Sequence, residues 1–95
     1  MNISLDYDET YTRDPEGWDA FIELMVSRGH KVYCVTMRSP DLHESLQVMN
    51  DLNGKVNAIF FTNREAKMDY MSKQGIWIDV WIDDMPILIT VGTKR

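Results

Sequence analysis

The sequence predicts a three-layer α/β domain, in which a mainly parallel sheet of four to five strands lies between layers of helices. Short apolar runs rich in β-forming residues alternate with amphipathic segments along all 95 residues. Most amphipathic segments begin at a helix-capping residue and are followed by a glycine. The resulting order, β-α-β-α-β-α-β-β, implies right-handed crossovers and favours parallel strands in the order 3-2-1-4-5.

The first half of the chain contains two predicted strands and one predicted helix. Residues 2–6 form a short strand that ends at acidic residues. Asp14 is suited to cap the following helix, and Gly29 is suited to end it. Residues 31–36 are β-rich and form the second strand. Between the two strands, five apolar residues recur at helical spacing: Trp18, Phe21, Ile22, Met25 and Val26.

The second half continues the alternation. A helix is predicted over 41–53, followed by a strand over 56–61. A capping box at Thr62 and Glu65 predicts a helix that continues to Gln74. Residues 77–82 form the fourth strand, and 87–91 form a fifth. The predicted buried stripe of the helix over 41–53 consists of Leu42, Leu46, Met49 and Leu52.

Size and composition limit the classes of function. At 95 residues, the whole chain (1–95) is expected to form one domain. A formal charge of -5 and a pI near 4.8 oppose non-specific binding to nucleic acid, whose phosphates most of the surface would repel. Neither a signal peptide nor a membrane-spanning apolar stretch is evident, so a soluble cytoplasmic protein without membrane contact is expected.

Several conspicuous residues are interpreted as structural. The single Cys34 lies in an apolar run and is expected to be a buried thiol. Trp18 is expected in the core. Trp77 and Trp81 alternate within the fourth strand and are expected to share a face beneath a helix. The methionines are interpreted as core filling: Met25, Met49, Met68 and Met71.

Polar residues follow three of the predicted strands where each strand ends. In open α/β sheets, ligands bind at the carboxyl ends of the strands. If the order is 3-2-1-4-5, strands one and four are neighbours, and their four aspartates converge on one crevice. The polar residues are Asp6, Asp8 and Thr10 after strand one, Thr36 and Arg38 at the end of strand two, and Asp83 and Asp84 after strand four.

Such a group of aspartates predicts a bound cation. Carboxylates packed closely repel one another unless positive charge lies among them. Hard oxygen ligands without a nearby histidine or cysteine favour Mg²⁺ over zinc. Arg38, two residues beyond Thr36, is a candidate to contact a substrate phosphate or base, although a solvent-exposed arginine is the commoner outcome.

These patterns, in their order along the chain, resemble the four motifs of the haloacid dehalogenase (HAD) superfamily, and the resemblance covers nearly the whole chain. The matching segments are Asp6-x-Asp8-x-Thr10 after a strand, Thr36 closing an apolar run, Lys67 on the helix before the last acidic strand, and the run Ile76–Asp84. Arg64, one turn before Lys67, is an alternative for the third motif. The dehalogenases lack the second aspartate, so Asp8 favours phosphate chemistry.

The resemblance implies a Rossmann-like HAD fold and a magnesium-dependent phosphomonoesterase. Asp6 would be the nucleophile, and Asp8 the general acid and base. Thr36 would hydrogen-bond a phosphoryl oxygen, and Lys67 would offset negative charge. The implied Mg²⁺ ligands are Asp6, Asp83, Asp84 and the carbonyl group of Asp8; Thr10 is a candidate substrate-binding residue.

No cap domain is predicted, because neither the first motif nor strand three is followed by an insertion. An open site favours a large phosphorylated substrate, such as a nucleotide or a polynucleotide end, or a partner subunit that closes it. Two other functions remain open. The first is a catalytically weak HAD-like binding module, and the second is a receiver-type phosphoacceptor domain. The second is disfavoured because strand three ends in Phe60, Phe61 and Thr62, without an aspartate.

Overall fold

The computed structural model describes residues 1–93, which contain a four-stranded sheet. The strands are β1 (Asn2–Leu5), β2 (Lys31–Thr36), β3 (Ala58–Phe61) and β4 (Val80–Ile82). All of the pairings are parallel, and the strand order is β3-β2-β1-β4. The predicted α/β class is confirmed, and so is the order of the first four strands.

The helices connect these strands. A 3-10 turn (Tyr11–Arg13) leads into α1 (Pro15–Ser27), and α2 (Leu42–Leu52) and α3 (Lys67–Lys73) form the next two crossovers. The Asp14 carboxylate accepts a hydrogen bond from the amide of Gly17 at 3.1 Å, which confirms the predicted cap of α1. No helix in the described part of the chain is long and apolar enough to cross a membrane.

Two apolar clusters cover the two faces of the sheet. Side chains alternate between the faces of a strand, so Val32 and Cys34 of β2 lie in one cluster while Tyr33 and Val35 lie in the other. The first cluster includes residues of α1 and α2, and the second includes Met71 of α3. Helices therefore pack on both faces, as expected for a three-layer arrangement.

Cys34 is fully buried, as predicted, and burial raises the pKa of its thiol. Trp18 packs against the first cluster, also as predicted. The methionine prediction is only partly correct. Met71 is buried and Met25 packs against the core, but Met49 and Met68 are exposed.

The predicted fifth strand is wrong, because Ile87–Thr90 is a short helix, α4. The Asp83 carboxylate accepts a hydrogen bond from the amide of Met85, and Pro86 follows. The fixed φ of proline suits the start of a helix, and the amide of Val91 then donates to the carbonyl of Ile87 at 2.9 Å. A short apolar run is compatible with either a strand or a helix, and here the preceding turn selects the helix.

The buried face of α2 also differs from the prediction. Leu42 and Leu46 are 73% and 50% exposed, and the residues facing the sheet are Ser45, Val48 and Leu52. Both sets recur at helical spacing, so periodicity alone does not select between adjacent faces of the helix. Among the predicted stripe residues, Leu52 is the one that is buried.

The segment after β3 begins its helix later than predicted. The Thr62 hydroxyl donates to the carbonyl of Glu65 at 2.9 Å, and Asn63 and Arg64 have left-handed φ angles of 55° and 72°. The residues assigned to a capping box therefore form a turn, and α3 starts at Lys67. This turn brings Lys67 to the edge of the sheet.

The prediction for Trp77 is wrong as well. Its side chain is 72% exposed, whereas Trp81 packs against the second apolar cluster. Trp77 precedes the first residue of β4, which is Val80. Strand alternation therefore does not govern the orientation of its side chain.

Candidate active site

Three carboxylates meet at the carboxyl edge of the sheet. Asp6 directly follows β1, and Asp83 and Asp84 follow β4. Because Leu5 pairs with Ile82 and the amide of Asp6 donates to the carbonyl of Ile82 at 3.0 Å, the two strands end side by side. One oxygen from each carboxylate lies within 4.8 Å of the others.

The side chain of Lys67 lies among these carboxylates. Its ammonium group donates to Asp6 Oδ1 at 2.8 Å and to Asp83 Oδ2 at 2.6 Å, and the side chain is only 1% exposed. Arg64, the alternative for this position, instead pairs with Glu44 at 2.6 Å and donates to the carbonyl of Met37. Lys67 is therefore the cation adjacent to Asp6.

Burial and the neighbouring charges shift the pKa values of Asp6 and Lys67. Burial raises the pKa of Asp6 from 3.8 to about 7; Lys67 opposes this shift, and Asp84 and Asp83 reinforce it. Burial lowers the pKa of Lys67, but the attraction of Asp6 and Asp83 outweighs burial, so the net shift is upward. One ammonium among three carboxylates leaves an excess of negative charge.

Two threonines border the cluster. The Thr10 hydroxyl donates to Asp6 Oδ2 at 3.2 Å and contacts Asp84 Oδ1 at 3.5 Å. Thr36, at the end of β2, is 1% exposed, and its hydroxyl oxygen accepts a hydrogen bond from the amide of Arg38 at 3.3 Å. That hydroxyl proton remains available for another acceptor.

The carboxylate of Asp8 does not join the cluster formed by the other three aspartates. Of the four aspartates expected to converge, Asp6, Asp83 and Asp84 do so. The Asp8 carboxylate pairs with Arg38, which donates Nε at 2.9 Å and Nη2 at 2.7 Å. Arg38 is accordingly not the solvent-exposed arginine that is common at such positions, since its side chain is 23% exposed.

The residues that support Arg38 are not among the predicted site residues. Tyr7 is completely buried and donates to Asp51 at 2.5 Å, and the Arg38 guanidinium carbon lies 5.1 Å from the centre of its ring. Glu44 contributes its backbone carbonyl to Arg38 Nη1 at 2.9 Å. Tyr7 stands between two motif aspartates, which is the one sequence signal that pointed to it.

The cluster is open to solvent on one side, where Asp84 is exposed. Two cavities of about 430 and 480 Å³ lie elsewhere, one beside Trp77 and the other beside Lys55. None of the charged residues described above lines either cavity. The chemistry of this edge therefore depends on its charged groups and not on an enclosing pocket.

No protein-family model, curated protein or solved structure matches this chain. Fold and site together define a class: a parallel α/β protein with a carboxylate and lysine cluster at the carboxyl edge of its sheet. Any more specific assignment is an inference from the residues of this chain.

Proposed function

We propose that the protein is a magnesium-dependent phosphohydrolase of the HAD type, with Asp6 as its nucleophile. The observation that carries this proposal is the buried contact of Lys67 with both Asp6 and Asp83. Lysine and aspartates from three different segments of the chain converge on one point at the edge where α/β sheets bind ligands. Their order along the chain is the order of the motifs in that superfamily.

The donor set fits Mg²⁺. This ion holds oxygen ligands at about 2.1 Å, so its ligands lie at most about 4.2 Å apart. One oxygen from each of the three carboxylates lies within 4.8 Å of the others, and small side-chain rotations would shorten these distances to the range that Mg²⁺ requires. Asp6, Asp83 and Asp84 would hold the ion with the carbonyl group of Asp8. When bound, the ion supplies positive charge that neutralises the phosphoryl oxygens.

The other steps of the proposed reaction are carried out by side chains of the protein. A carboxylate oxygen of Asp6 attacks phosphorus, and the bond to the leaving group breaks with its electron pair on the leaving oxygen. In this reaction the Asp8 carboxyl group, protonated and turned away from Arg38, would give that oxygen a proton. It then takes a proton from the water that hydrolyses the aspartyl-phosphate, which regenerates the Asp6 carboxylate. Lys67 and the Thr36 hydroxyl stabilise charge on the phosphoryl group.

The openness of the site bears on the substrate. Asp84 is exposed and no inserted domain follows β1 or β3, so the side of the cluster at Asp84 faces solvent. An open edge accepts a bulky phosphorylated group, and we therefore propose a nucleotide or a polynucleotide end as substrate. A partner subunit is an alternative means of excluding water.

The proposal is tested by hydrolysis of 4-nitrophenyl phosphate, followed by a panel of nucleotides. We expect activity that requires Mg²⁺ and is abolished in Asp6→Asn, because an amide does not act as the nucleophile. Asp69→Asn is the matched control, since Asp69 is an exposed aspartate of α3. Equal activity in both variants, or none in the wild type on any ester, would contradict the proposal.

A protein-binding module with the same cation site is the second candidate. The exposed apolar residues of α2, Leu42 and Leu46, favour it, because such a face is suited to contact with another protein. Absence of hydrolysis with retention of cation binding would select this alternative.

A further inference from the structure

The pairing of Arg38 with Asp8 suggests a role for Arg38 that the reaction above does not include. Nε and Nη2 of the guanidinium bind the two oxygens of one carboxylate, which is the bidentate geometry that arginine favours. The Asp8 side chain is 51% exposed, so burial alone does not fix its direction. The guanidinium is therefore the group that orients it.

Arg38 itself is held by contacts that do not involve Asp8. Nη1 donates to the Glu44 carbonyl at 2.9 Å, and Nη2 contacts the Gln47 side chain at 3.4 Å. The guanidinium lies over the ring of Tyr7, which is fixed in turn by its hydrogen bond to Asp51. The groups that hold the Asp8 carboxylate and its arginine therefore come from the segment after β2, from α2 and from the turn after β1.

We propose that Arg38 is a positioning residue that keeps the Asp8 carboxylate out of the coordination sphere of the cation. Asp8 lies two residues from Asp6, and a divalent ion among three carboxylates would attract a fourth. Mg²⁺ accepts six ligands, so each position that Asp8 leaves vacant is open to a phosphoryl oxygen or to water. This inference rests on the cation site of the proposed function.

The consequence is measurable in cation binding. Once released from Arg38, Asp8 adds a ligand, and an added carboxylate benefits Ca²⁺ most because Ca²⁺ accepts six to eight oxygens. We expect Arg38→Met to bind Ca²⁺ about tenfold more tightly than the wild type, which corresponds to about 1.4 kcal/mol. We expect a smaller gain for Mg²⁺.

A double-mutant cycle separates positioning from simple charge. Titration calorimetry with Mg²⁺ and with Ca²⁺ is performed on the wild type, Arg38→Met, Asp8→Asn and the double variant. Removing a positive charge strengthens cation binding whether or not Asp8 is present. Positioning predicts in addition that the gain is larger when Asp8 is present than in the Asp8→Asn background, and this difference is the coupling between the two sites.

Several outcomes would overturn the inference. An equal gain in both backgrounds would assign the effect to charge alone, and no gain in a folded Arg38→Met would show that Asp8 does not reach the ion. If Arg38→Met does not fold, the cycle is run with Arg38→Lys, which keeps the charge and loses the fork. If the wild type hydrolyses no phosphate ester but the coupling between Arg38 and Asp8 in cation binding is observed, the proposed reaction is refuted and this inference stands. A wild type that binds neither ion would refute both.

Discussion

A fully buried lysine is rare in proteins unless it is paired, and Lys67 has two carboxylate partners. Its ammonium group offsets part of the repulsion between Asp6 and Asp83, which are 9% and 3% exposed. The contact therefore has a structural role in addition to the catalytic role proposed above. Removal of the lysine would leave two buried carboxylates without their nearest positive charge.

We expect Lys67→Met to reduce the free energy of unfolding by about 3–5 kcal/mol, the usual cost of leaving a buried ion pair broken. Mg²⁺ should recover part of this loss, because the ion replaces the missing charge. Urea unfolding in EDTA and in Mg²⁺ measures both effects. Lys73→Met is the control: Lys73 pairs with Glu65 at the surface, where its side chain is 68% exposed, so its loss should lower the free energy of unfolding far less than the loss of Lys67. Similar losses in the two variants would contradict the assignment.

At the scale of the elements, the turns after the strands determine the site. The aspartates were predictable because acidic residues directly follow apolar runs, and the carboxyl ends of neighbouring parallel strands share an edge. The direction of Asp8 was not predictable, because it depends on Arg38 and on the carbonyl of Glu44. The contact between Arg38 and Asp8 joins residues 30 positions apart along the chain and leaves no local signal in the sequence.

Two helices begin after an aspartate, but only one of these aspartates caps its helix with a side-chain hydrogen bond. Asp14 accepts the amide of Gly17, whereas Asp41 precedes α2 without a side-chain capping hydrogen bond. We expect Asp14→Ala to cost about 1 kcal/mol and Asp41→Ala distinctly less, since both remove a charge but only the first removes a cap. Thermal unfolding of the two variants measures the difference. Equal losses would show that the helix dipole, and not the hydrogen bond, carries the effect.

At the scale of the whole molecule, hydrophobic alternation predicted the α/β class and the central position of β1. It predicted the four strands of the sheet, but it wrongly assigned the last short apolar run as a fifth strand. The run 87–91 has the composition of a strand, but the turn at Asp83 and Met85 followed by Pro86 directs it into a helix. The face that α2 buries was likewise undetermined, because Leu42 and Ser45 begin two stripes with the same period.

The stability of the metal-free protein should depend on pH through Asp6. Its pKa in the folded protein is about 7, against 3.8 for the ordinary carboxyl group, so the folded state retains a proton that the unfolded state releases. This contribution is complete below the unfolded pKa and is lost as the pH rises through the folded pKa. We expect the free energy of unfolding in EDTA to fall by a few kcal/mol at most between about pH 4 and pH 7, at about 1.4 kcal/mol per pKa unit.

Asp6→Asn isolates that contribution. Urea unfolding over the same pH range should show a shallower decline in the variant, because an amide does not titrate. With Mg²⁺ present, the decline in the wild type should weaken or reverse, since the proposed ion site requires the ionised carboxylate of Asp6. Parallel pH profiles for the wild type and the variant would show that Asp6 does not carry the shift.

The distance along the chain between Asp6 and Asp83 has a consequence for biosynthesis. During translation, the first aspartate is made long before its two partners, and it gains them when β4 docks beside β1. A nascent chain therefore lacks the complete set of proposed ion ligands until the edge strand has been synthesised and has joined the sheet. Ion capture would then mark the end of folding, and it would favour chains whose last strand is correctly placed.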